Sequence, residues 1–171
     1  MRFDATVPGS TVFFFVLPED LATSNTVSAV LRITATEYAR LIAHCYDGLP
    51  LEACGLLGGT TSPDTEHAHV DVFVPCRNAD ASSRTYAIGP DGWRAADELL
   101  APRGLDVVGV AHSHTHTDPY PSPTDIDKAA NPLLAGWHYV IVSLRDGAPM
   151  TRSYRIVDGR VIEEPVEVVD T

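Results

Sequence analysis

Apolar positions change their period along this chain, and the changes mark out its elements. Residues 105–111, LDVVGVA, form an apolar run of strand length that leads straight into His112-Ser113-His114. A second, nearly continuous run over 137–144, WHYVIVSL, has the character of a strand buried on both faces. Residues 67–76 alternate and put Val70, Val72 and Val74 on one face. Residues 150–157 and 160–169 flank Asp158-Gly159, a two-residue hairpin turn. Between these runs the period becomes helical. Tyr38, Leu41, Ile42 and Cys45 recur at i, i+3, i+4 and i+7. Thr34 and Glu37 have the spacing of a capping box, Ile33 and Tyr38 that of a hydrophobic staple, and Gly48-Leu49-Pro50 ends the helix. A second helix over 91–100 carries Trp93, Ala96 and Leu100 on its apolar side, and Pro102-Arg103-Gly104 breaks it. Ser122 or Thr124 caps a third, which runs to about residue 130. Residues 60–66 read as a polar loop, and 77–89 as irregular chain with a candidate short strand at 86–88. The order is helix, two strands, helix, strand, helix, strands. That order predicts the α/β class: a single domain with a mixed β-sheet wrapped by helices.

The strongest chemical signal follows the 105–111 run. In HSHTHTDPYPSPTD, residues two apart on a strand share a face, so His112 and His114 present two nitrogen donors side by side. Asp125 adds an oxygen donor a short loop later. Two imidazoles, one carboxylate and an open fourth position describe a catalytic zinc site, whereas a structural zinc is closed by four protein ligands. His116 lies past the strand end and is left out of the ligand set. His67, His69 and His138 read as surface or packing residues. Upstream, in LEACGLLGG, Glu52 immediately precedes a short glycine-rich apolar strand. Zinc hydrolysis needs a base that takes a proton from water and returns it to the leaving amine, and Glu52 is the candidate.

Together Glu52, His112, Ser113, His114, Ser122 and Asp125 resemble the JAMM/MPN+ metallopeptidases. The family pattern is a glutamate, then His-Ser/Thr-His, seven residues, Ser, two residues and Asp, and this sequence matches it without a gap. The resemblance covers about residues 31–169. It implies the MPN fold, related to that of the cytidine deaminases, and Zn2+ on His112, His114 and Asp125. It also implies Glu52 as general acid and base, with Ser122 helping to hold the tetrahedral oxyanion. Ser113, the middle residue of its strand, should face away from the metal. The segments EACGLLGG, HYVIVSLRD and SYRIVDGRVIEEPVEVV are most similar to small bacterial members that remove a C-terminal cysteine from a ubiquitin-like sulfur carrier. This implies a zinc peptidase that acts on the Gly-Gly tail of such a carrier and releases cysteine for cysteine biosynthesis. The 114–122 loop differs in content, with Thr117-Asp118-Pro119, which leaves the leaving group open. An isopeptidase acting on lysine-linked modifiers is the alternative. The short stretch between Asp125 and Trp137 leaves little room for the insertion that grips a second ubiquitin. A catalytically silent MPN scaffold is the reading from another class, although every ligand is present. The deaminase signatures themselves are missing.

Bulk composition narrows the setting. A chain of 171 residues suits one domain. A net charge of −11 argues against nucleic acid and against anionic membrane surfaces as partners. Cys45, Cys54 and Cys76 are odd in number and have no framework spacing, which fits a reduced, cytoplasmic environment. Cys54, two residues from Glu52, could sit near the metal but reads as a packing thiol. No stretch approaches the ~20 apolar residues of a membrane span, and VFFFVL at 12–17 is too short for a secretory signal. Residues 1–30 form an extension outside the resemblance. A flexible arm, an extra edge strand and a mis-assigned start all fit them.

Overall fold

The computed structural model describes residues 29–62 and 67–170. The extension expected over 1–30 lies outside the described residues except for 29 and 30, which lead into the first strand. The described chain forms β1 (Leu31–Thr34), α1 (Ala35–Asp47), β2 (Cys54–Thr61), β3 (Ala68–Cys76), α2 (Pro90–Leu100) and β4 (Asp106–His114). It continues with α3 (Pro123–Ala129), β5 (His138–Ser143), β6 (Met150–Val157), β7 (Arg160–Glu164) and β8 (Val166–Val169). The strands join in one mixed sheet of order β7-β6-β5-β4-β2-β3-β1-β8. β4 lies at its centre, antiparallel to β2 and parallel to β5. Among the described residues, no helix is long and apolar enough to cross a membrane.

Both faces of the sheet are covered, which explains why residues 107–111 of β4 and 139–142 of β5 run without polar alternation. On one face Leu57, Phe73, Ala111, Val140 and Val142 pack with Leu41 and Cys45 of α1. On the other, Leu56, Val74, Val110, Ile141 and Tyr154 pack with Ala96 and Leu100 of α2 and Ala129 of α3.

Several expectations needed tertiary information. β1 was not expected, because four residues carry little periodic signal and its partners, β3 and β8, are remote. β2 runs on to Thr61, into the expected loop, because β3 supplies partners for Thr60 and Thr61. Residues 86–88 make only one bridge, Asn78 to Ile88. Val70 does not share a face with Val72 and Val74. The register jumps from Gly58–Val72 to Gly59–Val70, so Asp71 bulges and Val70 turns to the α1 side with Phe73. Trp93 is 40% exposed and lies against Trp137 rather than in the core. Thr34 does cap α1, accepting from the Glu37 N–H at 3.3 Å. The Glu37 carboxylate, however, accepts from the Phe73 N–H at 2.7 Å and from Arg40. It is spent on the sheet instead of the cap.

The largest departure is at the C-terminus, where the expected strand over 160–169 is two strands. Pro165 has no N–H for a ladder, and its carbonyl accepts from the Leu31 N–H at 3.0 Å. β7 therefore ends one edge of the sheet and β8 begins the other. With one residue between them, the two edges must approach each other, and the sheet is curled. At this corner Glu164 Oε1 is 2.7 Å from His138 Nδ1 and accepts from the Ser153 hydroxyl at 2.6 Å, all buried. The hairpin turn is as expected, with Asp158 and Gly159 at φ 50° and 74°.

Gly109 sits where β4 passes closest to β5. A Cβ there would lie 2.2 Å from the His138 carbonyl oxygen, a backbone atom that cannot yield without moving β5. Gly109→Ala should therefore cost more than about 2 kcal/mol. Urea unfolding should show a lower midpoint at unchanged slope, and an unaltered midpoint would mean that the strands separate freely.

Candidate active site

The site forms at the C-terminal end of β4, on the face shared with α2 and α3. His112 and His114 alternate with Ser113, so both imidazoles leave the strand beside Val110 and Tyr86. Asp125 arrives from the first turn of α3 through a reciprocal capping box. Ser122 Oγ accepts from the Asp125 N–H at 3.3 Å, and Asp125 Oδ2 accepts from the Ser122 N–H at 2.8 Å and its hydroxyl at 2.6 Å.

These residues place three ligand atoms together in a buried space. The Nε2 atoms of His112 and His114 are 3.2 Å apart, and Asp125 Oδ2 lies 3.6 Å from the first and 4.0 Å from the second. Two ligands held ~2.0–2.1 Å from a tetrahedral ion stand about 3.3 Å apart, so the spacing fits a metal. Protonation supports the same fit. His114 Nδ1 lies 2.7 Å from the Asp118 carbonyl oxygen and 2.9 Å from Thr117 Oγ1, which assigns its proton to Nδ1 and leaves Nε2 as a lone pair. The His112 ring is fixed by stacking, its centroid 4.3 Å from that of Tyr86. Lys128 sits over the Tyr86 ring and donates to the Tyr86 carbonyl. Burial and then neighbouring His112 hold His114 below the ordinary imidazole range, so it is a neutral donor. Burial works to raise the Asp125 carboxyl, but His112 and the Ser122 donors outweigh it and hold it well below the usual range. Two imidazole nitrogens and a carboxylate oxygen converging in a buried space suit a cation.

Glu52 is held by its backbone. Its N–H donates to the Ser82 carbonyl at 2.9 Å, and its carbonyl accepts from Asn78 Nδ2 at 2.9 Å. The adjoining Ala53 N–H donates to Ser113 Oγ at 2.8 Å, while the Ser113 N–H donates to the Ala53 carbonyl at 2.9 Å. Ser113 thus faces away from the ligand group, as expected, and ties β4 to the Glu52 segment. Glu52, His114 and Ser122 line one cavity of about 440 Å³, with Arg84 and residues 115–117 on its wall. A cavity of similar size beside α2, about 450 Å³, contains none of these groups. Burial first, then the charges of Asp125 and Asp80 against the opposing Lys128, raises the Glu52 carboxyl from its ordinary 4.5 to about 7. A group with that value can both accept and return a proton near neutral pH.

His116 lines the cavity but lies outside the ligand group. Cys54 pairs with His112 across the ladder, yet its thiol turns to the Cys76 carbonyl at 3.8 Å, and burial pushes it up to about 12. It is a packing residue. Sequence reasoning missed Asn78, Tyr86 and the Asp118 carbonyl. Asn78 lies in irregular chain without periodicity, and a backbone acceptor leaves no residue signature.

Residues 34–157 match the family of prokaryotic homologues of the JAB domain. The chain belongs to that family. The JAMM/MPN+ resemblance and the single-domain mixed α/β fold are those of JAB proteins. The chain is 41% identical over 149 residues to the CysO-cysteine peptidase of Mycobacterium tuberculosis (strain H37Rv), covering 82% of this chain and 92% of that protein. It is 32% identical over 121 residues to the Desampylase of Haloferax volcanii, covering 68% and 82%. The solution structure of a Desulfitobacterium hafniense protein superposes with a TM-score of 0.73 at 30% identity, covering 82% of this chain and 94% of that one. A Salinibacter ruber protein gives 0.61 at 34% identity, covering 81% and 92%.

The raised Glu52 carboxyl makes the stability of the JAB domain fall with rising pH when no metal is bound. Between 4.5 and about 7 the folded state binds the proton more tightly than the unfolded chain. The stabilisation from this group is therefore full below that window and lost as pH rises through it. Glu52→Gln removes the titration. In chelator, the variant should gain on the order of 2 kcal/mol over wild type between about pH 5 and about pH 8. Urea unfolding at the two pH values measures the gain, and a pH-independent difference would mean that Glu52 is solvated.

Proposed function

We propose that this protein is a zinc-dependent peptidase that hydrolyses the bond between a C-terminal cysteine and the Gly-Gly tail of a ubiquitin-like sulfur carrier, releasing cysteine for biosynthesis. The observation that carries this reading is a buried His112–His114–Asp125 group whose His114 lines one cavity with Glu52, a carboxyl that burial raises to about 7. The similarity to the CysO-cysteine peptidase points to the substrate. Two imidazole nitrogens and one carboxylate oxygen suit zinc, with the fourth position open. Bound there, zinc supplies Lewis-acid polarisation of the scissile carbonyl and acidifies water.

The chain's own residues do the rest. Glu52 takes the proton from the attacking water and delivers it to the leaving amine nitrogen. The bonds to Ser82, Asn78 and Ser113 keep its segment in place as the carboxyl changes charge. Ser122 donates to the oxyanion. Its hydroxyl now points to Asp125 Oδ2 at 2.6 Å, but the Ser122 N–H also holds that oxygen, at 2.8 Å. The hydroxyl can therefore turn to the oxyanion without releasing Asp125. The Gly-Gly tail suits the approach because it has no side chains to meet the buried walls. Three buried free cysteines suit the reducing cytoplasm.

Removal of a ubiquitin-like modifier from lysine is the second reading, favoured by the likeness to the Desampylase. A silent scaffold is disfavoured by the intact ligand set. The purified protein should carry near-stoichiometric zinc by elemental analysis, and His114→Ala should lose it. Glu52→Gln should keep zinc and carrier binding while its turnover falls by ~10²–10⁴-fold. Offered a carrier ending in Gly-Gly-Cys and a lysine-linked conjugate in parallel, the wild type should release cysteine and leave the second largely intact. The opposite preference would establish the isopeptidase, and absence of metal the scaffold.

A further inference from the structure

Resting on the cysteine-releasing reaction, we propose that Arg84 is a specificity-determining residue that receives the α-carboxylate of the departing amino acid. A single-residue leaving group carries its carboxylate next to the scissile nitrogen. That anion must enter a cavity already lined by Glu52, with Asp125 close by, in a chain of net charge −11. Like charges in a partly dry cavity repel unless a cation answers them. Arg84 is the one Lys or Arg among the residues lining this cavity.

Arg84 is an exposed residue on the wall of this cavity, open to an arriving ligand. Arg32, Arg40, Arg145 and Arg152 each pair with a carboxylate. Among the described residues Arg84, like Arg77, Arg94, Arg103 and Arg160, has no such partner, and of these only Arg84 lines the cavity. Its guanidinium offers a planar fork suited to a carboxylate. The loop that carries it is built to hold position. The buried Asn78 side chain donates to the Glu52 carbonyl at 2.9 Å, the Ser82 carbonyl at 3.3 Å and the Thr85 carbonyl at 2.9 Å. Thr115 Oγ1 donates to the Ser83 carbonyl at 3.1 Å, joining this loop to the turn beyond His114. The backbone around Arg84 is thus anchored on both sides, and Arg84 shares the cavity lining with Glu52 and His114. A modifier leaving from a lysine side chain brings no carboxylate to this place, so a paired Arg84 separates the two reactions.

The test uses the zinc-loaded full-length enzyme and two carrier conjugates ending in Gly-Gly-Cys, one with a free carboxylate and one amidated. Wild type should prefer the free acid by about 10- to 100-fold in kcat/KM, the scale of one charge-assisted contact, with the effect chiefly in KM. In Arg84→Ala this preference should collapse to within about threefold, and Arg84→Lys should restore part of it. Calorimetric binding in the Glu52→Gln background should show the same acid-over-amide preference, lost in Glu52→Gln/Arg84→Ala. If wild type cleaves acid and amide equally, the cysteine-releasing reaction stands and the role of Arg84 is overturned. If the preference survives in Arg84→Ala and disappears in His116→Ala, the carboxylate belongs to His116. If neither cysteine conjugate is cleaved but a lysine conjugate is, both the reaction and the role of Arg84 fall.

Discussion

The site depends on a reciprocal pair of hydrogen bonds between Ala53 and Ser113. β2 and β4 are antiparallel neighbours, and their register sets Cys54 against His112. Without a further tie the segment before β2 would leave the sheet just where Glu52 is needed. The Ser113 hydroxyl and N–H hold Ala53 on both sides, so the chain stays paired one residue longer. Alternation along β4 then does two tasks with three residues. The even positions put imidazoles on one face, and the odd position fastens the glutamate-bearing segment from the other. A one-residue slip in this ladder would exchange those tasks and dissolve the site.

Burial explains why these groups are chemically unusual as well as close. Each of Glu52, His112, His114 and Asp125 has lost most of its water, and a charge in such a place needs a partner or it neutralises. Asp125 stays an anion because His112 and two Ser122 donors serve it. Glu52 has no comparable set of donors, and burial first, then the charge of Asp125, raises its carboxyl to about 7. Two carboxyls a short distance apart are thereby given different protonation habits by local hydrogen bonding. That difference suits Asp125 to the ligand part and Glu52 to the proton-carrying part of the proposed reaction.

What was legible in the sequence follows the range of the interactions involved. The central strands, the hairpin and α3 rest on local periodicity, caps and turn residues, and they lie where those signals put them. His112, His114 and Asp125 were legible because two-residue alternation and a capping box are local geometry. Asp71, the residue that flips the valine face, was not legible, because a bulge is decided by the partner strand. Nor was the switch of edges at Pro165. The proline marks a break, but only the curl of the whole sheet says that the chain resumes beside β1. Glu37 shows the same limit from the other side: it has a good local role at the cap, and a backbone N–H of β3 takes it away.

The walls of the cavity come from irregular chain, yet they are held nearly as firmly as the strands. Asn78 gathers three carbonyls of the segments around Glu52 and Arg84. On the opposite side the Ser143 hydroxyl donates to the Thr117 carbonyl at 2.6 Å, and the Tyr154 hydroxyl to the Pro119 carbonyl at 2.5 Å. Buried side chains from the sheet thus reach out to fix loop backbones that make few regular bonds of their own. The arrangement divides labour within the fold. Strand register and α3 hold the ligand group, and nothing in that group distinguishes one leaving group from another. On the proposed reaction the discrimination falls to residues 82–85 and 115–121, which can change side chains while the buried anchors keep their backbones in place. On the proposed chemistry, the substrate assignment for this chain therefore rests on its loops more than on its ligand group.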